Sequence, residues 1–144
     1  MWGILVAAIS GALMSIQGVF NAEVTKQSSI WMSASFVQLT AFVVCVIAWF
    51  LTGRDGTVGS LFQVTPKYML LGGAIGAFIT YTVIFSMNAV GPARAVMFIV
   101  AVQLLVAYLI ELFGLFGVDK QPFEWRKCIG VVIIIAGIVT FKWK

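Results

Sequence analysis

Residues 2–22, 30–52 and 68–88 each run for at least 20 positions without a charged side chain. A helix needs about 20 apolar residues to cross the hydrocarbon of a bilayer. Inside lipid every backbone N–H and C=O must be satisfied within the chain, so runs like these fold as helices. A fourth run, 93–116, follows the turn VGPAR, where Pro92 suits a first helical turn and Gly91 suits the cap of the preceding helix. The fifth, 125–143, has an uncharged part of only 128–141. It reaches spanning length if Trp125 and Trp143 sit at the membrane interfaces, as Trp often does. The expectation is an all-α integral membrane protein with five transmembrane helices, forming one membrane domain over 1–144. The competing arrangement is four spans plus a surface helix.

Composition closes off the soluble alternatives. Charged residues are 10% of the 144 and hydrophobic ones 62%, against roughly 25% and 45–50% in a soluble domain. The nine Lys and Arg stand at the ends of apolar runs, as snorkelling anchors do, and form no basic cluster suited to nucleic acid. There is no histidine, which removes the commonest metal ligand and the usual proton shuttle. Cys45 and Cys128 lack metal-like spacing and read as small core residues, so no metal and no cofactor is expected. The first run lacks a basic n-region and is too long for a signal peptide, so it is expected to stay attached.

The polar connections are EVTKQSS, GRDGTVGSLFQVTPK, VGPAR and VDKQPFEWRK, and none can hold a soluble domain. Neither half of the chain repeats the other, so a single copy lacks the paired repeats common in transporters. With five spans, Arg54, Lys67, Lys120, Arg126 and Lys127 fall on one side, and Lys26, Arg94, Lys142 and Lys144 on the other. Orientation follows Lys/Arg asymmetry, and five against four supplies almost none. Two opposite copies would then form an inverted, antiparallel homodimer of dual topology. A heterodimer with an inverted paralogue and a single fixed orientation remain as alternatives. Four spans would instead give seven against two.

Small residues recur where membrane helices would touch: Gly72, Gly76 and Thr80 on one face of the third span, Ala7, Gly11 and Gly18 on the first, Gly130 and Gly137 on the fifth. Such residues let backbones approach closely. Polar groups inside the spans ask for partners. Gln17 and Asn21 lie four apart on one face of the first helix, Gln38 is early in the second, Asn88 closes the third, and Gln103 is early in the fourth. Because alternate spans run in opposite directions, all fall in the half of the membrane facing the 1–2 and 3–4 loops. They line a pathway or act as interhelical glue. Among the acids, Glu23 reads as a solvated interfacial charge beside Lys26. Glu111 lies three residues beyond Tyr108 at the far end of the fourth span. It is either an interfacial carboxylate or a proton-coupling site, since loss of water favours the neutral acid. Arg94 snorkels to the headgroups. No nucleophile–base pair, P-loop or facing carboxylates are present, so the chain is not expected to be an enzyme.

IQGVFNAEVTK, LLGGAIGAF, GPARAVMF, QLLVAYLIELFGLFG and IGVVIIIAGI, in that order, resemble the YdcZ-like family, a five-span branch of the drug/metabolite transporter superfamily. The likeness covers essentially the whole chain. It implies a multi-pass protein of the bacterial cytoplasmic (inner) membrane, working as half of a ten-helix unit whose two halves are inverted. Those halves occur as homodimers, paired paralogues or fused genes. Two departures stand out: Val102 occupies a position where Gly usually precedes the fourth-span Gln, and Glu111 one where Asp is common. The related small multidrug transporters carry a Glu in span one where this chain has Gln17, so cation/proton exchange does not carry over directly. The expected function is movement of a small solute by alternating access. Gln17, Asn21, Gln38 and Gln103 would hydrogen-bond substrate, with Tyr81 and Tyr108 as amphipathic walls. Such a neutral site favours neutral or zwitterionic solutes. A non-transporting membrane subunit or scaffold, or a small-multidrug-type cation/proton exporter, is the alternative.

Overall fold

A computed structural model describes residues 2–53 and 56–141. Trp143, and the cations Arg54, Lys142 and Lys144 of the charge count, lie outside them. The described residues form helices α1 (Trp2–Lys26), α2 (Ile30–Leu51), the single turn α3 (Val58–Leu61), α4 (Gly72–Val90), α5 (Pro92–Phe113) and α6 (Trp125–Phe141). A 3₁₀ turn, Lys67–Leu71, leads into α4, and another, Leu115–Gly117, follows α5.

Helix ends follow local chemistry. Ser29 caps α2, its hydroxyl accepting from the Met32 N–H at 3.2 Å, which satisfies one of the free first-turn donors. Gly91 takes φ +87°, a conformation open to glycine, and delivers Pro92 to the first position of α5. At the other end, expected near 116, α5 stops at Phe113. Gly114 adopts the left-handed conformation at φ 65° and its N–H returns to the Ile110 carbonyl. At its first loop the chain holds its helix longer than hydropathy suggests. α1 continues through Lys26, placing Glu23 inside the last two turns, where it pairs with Lys26 at 2.6 Å.

Four helical segments are long and apolar enough to cross a membrane: Trp2–Lys26, Ile30–Leu51, Lys67–Val90 and Pro92–Phe113. The fifth, α6, has 17 described residues. That is about 25 Å of helix against a hydrocarbon core of about 30 Å.

The chain divides into two compact units, Met1–Ala89 and Val90–Lys144. In the first, α1 packs on α2, and α4 meets both through side chains. Its buried residues gather at one level: Gly18, Asn21 and Ala22 of α1, Ser33 and Ala34 of α2, Ile84 and Met87 of α4. With the helices alternating in direction, these are the ends facing the 1–2 loop and the end of α4. In the second unit α5 packs on α6. Most large apolar side chains elsewhere are exposed, as suits helices whose solvent is lipid.

Candidate functional site

Asn21 anchors the buried knot of the first unit. It is 8% exposed. Its carbonyl accepts from Thr25 Oγ1 at 2.8 Å and from Ser33 Oγ at 3.3 Å, the latter joining α1 to α2. Asn21 lines an open groove of about 710 Å³ between those helices, which runs toward Ser10 and Cys45. Gln17 lines the same groove, with Ser10 on α1 and Thr40 and Cys45 on α2. Met14, Phe20 and Val44 contribute to its apolar wall. Ser10, Gln17 and Asn21 follow the i, i+7, i+11 spacing that keeps residues on one helical face. Thr40 turns its hydroxyl back to the Phe36 and Val37 carbonyls at 3.0 and 2.9 Å. Among the described residues neither carboxamide is engaged in a hydrogen bond, and no buried side-chain N or O lacks a partner. Gln17 is exposed along the groove, while Asn21 lines it from a largely buried position.

Gln38 and Tyr81 are in the first unit but not in this lining. The Gln38 Nε2 lies 3.4 Å from where a Cβ on Gly76 would stand, so it fills the small-residue gap on α4. Tyr81 stacks on Trp31 with ring centroids 4.6 Å apart. Asn88 is exposed near the end of α4.

Of the glycines expected to mediate packing, Gly18 has the closest approach. A Cβ there would collide with the Met87 methyl and come within 2.8 Å of its sulfur. Gly76 has the Gln38 contact, whereas Gly11, Gly72, Gly130 and Gly137 have nothing within 4 Å of the corresponding point.

In the second unit Tyr108 and Glu111 share a face of α5 and meet the start of α6. Lys127 Nζ sits 3.3 Å from Glu111 Oε2, 3.8 Å from Glu124 Oε1 and 5.5 Å from the centre of the Tyr108 ring. The Glu124 N–H donates to the Tyr108 hydroxyl at 3.3 Å, and the Gln121 N–H to the Glu111 carbonyl at 2.9 Å. Glu111 is thus a half-exposed carboxylate paired to a cation. Beside it Tyr108, Leu109, Phe123 and Cys128 line an apolar pocket of about 340 Å³. Gln103 is exposed on α5. Arg94 is exposed in the first turn of α5 and lines a small pocket with Met97, Phe98 and Ile138.

Sequence reasoning missed three groove residues, Ser10, Thr40 and Cys45. Ser10 was legible as the residue seven before Gln17 on the same face. Cys45 corrects the core reading: it is exposed and lines the groove, because α2 turns its 37-40-41-44-45 face toward α1. Cys128 is half-buried. Lys127 was counted only as a loop charge, and nothing local marks it as the partner of a residue 16 positions earlier.

An all-helical chain with four apolar helices of crossing length is a membrane-embedded protein. It belongs to the YdcZ family: residues 2–140 match the family described as "Putative inner membrane exporter, YdcZ". It is similar to the inner membrane protein YdcZ of Escherichia coli (strain K12), with 28% identity over 137 residues that cover 92% of this chain and 88% of that protein. No solved structure is significantly similar to it.

Proposed function

We propose that this chain is a membrane transporter, not an enzyme, and that it moves a small solute by alternating access as one half of an inverted dimer. The observation that carries the reading is the groove of about 710 Å³ between α1 and α2, lined by exposed Gln17 and largely buried Asn21, neither of whose carboxamides is engaged in a hydrogen bond. Uncharged polar groups are costly in hydrocarbon, so a groove that exposes them calls for water or a solute. Membership of a family described as an exporter supports transport in the outward direction.

On this reading residues 1–144 form one five-span membrane domain of the cytoplasmic (inner) membrane, α6 being the fifth span. A second copy or a paralogue in opposite orientation supplies the other five helices. Gln17 and Asn21 bind solute. Gln38, Gln103, Tyr81 and Tyr108 contribute once the halves assemble, and Glu111 is the candidate for proton coupling.

Proteoliposomes carrying the purified protein and preloaded with members of a small-solute panel test the reading by counterflow. At least one solute is expected to exchange, with the rate falling about tenfold or more in the Gln17→Leu, Asn21→Leu double variant. Exchange that is absent throughout, with the protein intact and assembled, would favour a non-transporting subunit.

A further inference from the structure

The polar groups of the groove are all of one electrical kind. Ser10, Gln17, Asn21 and Thr40 are uncharged, and among the described residues no Asp, Glu, Lys or Arg lines it. The carboxylate next along α1, Glu23, is held by Lys26 at 2.6 Å and is largely solvent-exposed. A cation or anion entering this space would leave water without a counter-charge, which a low-dielectric surrounding penalises heavily. The stripe from Ser10 to Asn21 extends about 16 Å along the helix axis, about half the thickness of the hydrocarbon. Beside it stand Leu13, Met14 and Phe20 from α1 and Val44 from α2. The groove thus offers a polar edge and an apolar wall side by side. Asn21, one of its lining residues, belongs to the buried knot where Ser33 ties the helices together.

From this we infer that the ligand of the groove is an elongated, uncharged amphipathic molecule, with hydroxyl or amide groups along one edge and hydrocarbon along the other. The carboxamides can both donate to and accept from such groups, so hydroxyls and amides are matched without any ionised partner. Excluding ions requires no dedicated gate, because the absence of a fixed charge does it. The inference rests on the groove being the solute site.

Two matched photoprobes separate the class of ligand from the place where it binds. Each has an eight-carbon chain bearing a diazirine; one ends in an N-methylglucamide head and the other in trimethylammonium. The full-length protein in lipid nanodiscs is irradiated with each, and labelled peptides are located by mass spectrometry. The glucamide probe is expected to label residues 10–21 and 37–45 saturably, at least about tenfold above the ammonium probe, as a site built for uncharged hydrogen-bonding groups would. Gln17→Leu should lower that labelling several-fold. Gln17→Glu, which keeps the shape but adds a charge, should bring the ammonium probe into the same peptides. Equal or stronger labelling of the groove by the ammonium probe in the unmodified protein overturns the uncharged class and leaves the groove as the site. Labelling by neither probe above the level on α4 and α6 overturns the groove reading itself, and the ligand class with it.

Discussion

Glu111 illustrates how one residue can belong to two arguments. Hydropathy places it at the far end of an apolar helix, while the fold sets Lys127 at 3.3 Å from it across the α5–α6 turn. Both side chains are more than a third exposed, so the pair adds at most about 1 kcal/mol of stability. A contact that weak can be broken and remade within a transport cycle. The proposed coupling role leads to a definite expectation for Glu111→Gln, which keeps hydrogen bonding and removes the exchangeable proton. Exchange of solute at equal pH should persist, whereas accumulation driven by an imposed pH gradient in proteoliposomes should vanish. Accumulation that still follows the gradient would assign coupling to another group or another ion. Lys127→Met should change thermal stability little, and its effect should shrink further as salt is raised.

At the scale of elements, contacts between helices decide which glycines matter. Gly18 of α1 faces the Met87 thioether of α4 with no room for a Cβ, whereas a Cβ on Gly76 would meet only the Gln38 amide at ordinary distance. Gly18→Ala demands that a flexible methionine end swing aside, which Met side chains do readily. Gly18→Leu demands separation of the helices. The leucine variant is expected to lose about 1–3 kcal/mol of stability, as overpacking generally costs, and to lower the midpoint of thermal unfolding in detergent. The alanine variant should lose less. Gly76→Leu should displace Gln38 and weaken the α2–α4 contact. Unchanged stability in both leucine variants would mean that α4 does not pack here. Gly130 and Gly137 of α6 have open space around them within a single copy, so leucine at either position tests contact with a second copy, read as loss of dimer on cross-linking.

For the whole molecule, orientation is the open quantity that a single fold does not carry. With α6 as the proposed fifth span, five positive residues against four give the insertion machinery almost no preference, which motivates the proposed inverted dimer. In a background of Cys45→Ser and Cys128→Ser, single cysteines at Ser60 and Gln121 can be labelled with a membrane-impermeant maleimide from either face. Both positions should react from both faces in comparable amounts. Reaction from one face alone would establish a fixed orientation, leaving a paralogue of opposite orientation as the only source of an inverted half.

Hydropathy alone determined that the chain is helical and membrane-embedded, because an uncharged run of about 20 residues has no other way to satisfy its backbone in lipid. Local devices in the sequence, Ser29 before α2 and Gly91–Pro92 before α5, set where two of the helices begin. Helical periodicity put Gln17 and Asn21 on one face. It could not show which neighbour that face meets. The tertiary structure decided that α2 stands opposite with Thr40 and Cys45, that Gln38 turns to Gly76, that Tyr81 stacks on Trp31, and that Lys127 closes on Glu111. Each of these joins residues on different helices. In a membrane the hydrophobic effect does not choose between helix faces, so the choice falls to close packing and a few polar contacts. Those depend on three-dimensional fit, which no periodicity along one helix records.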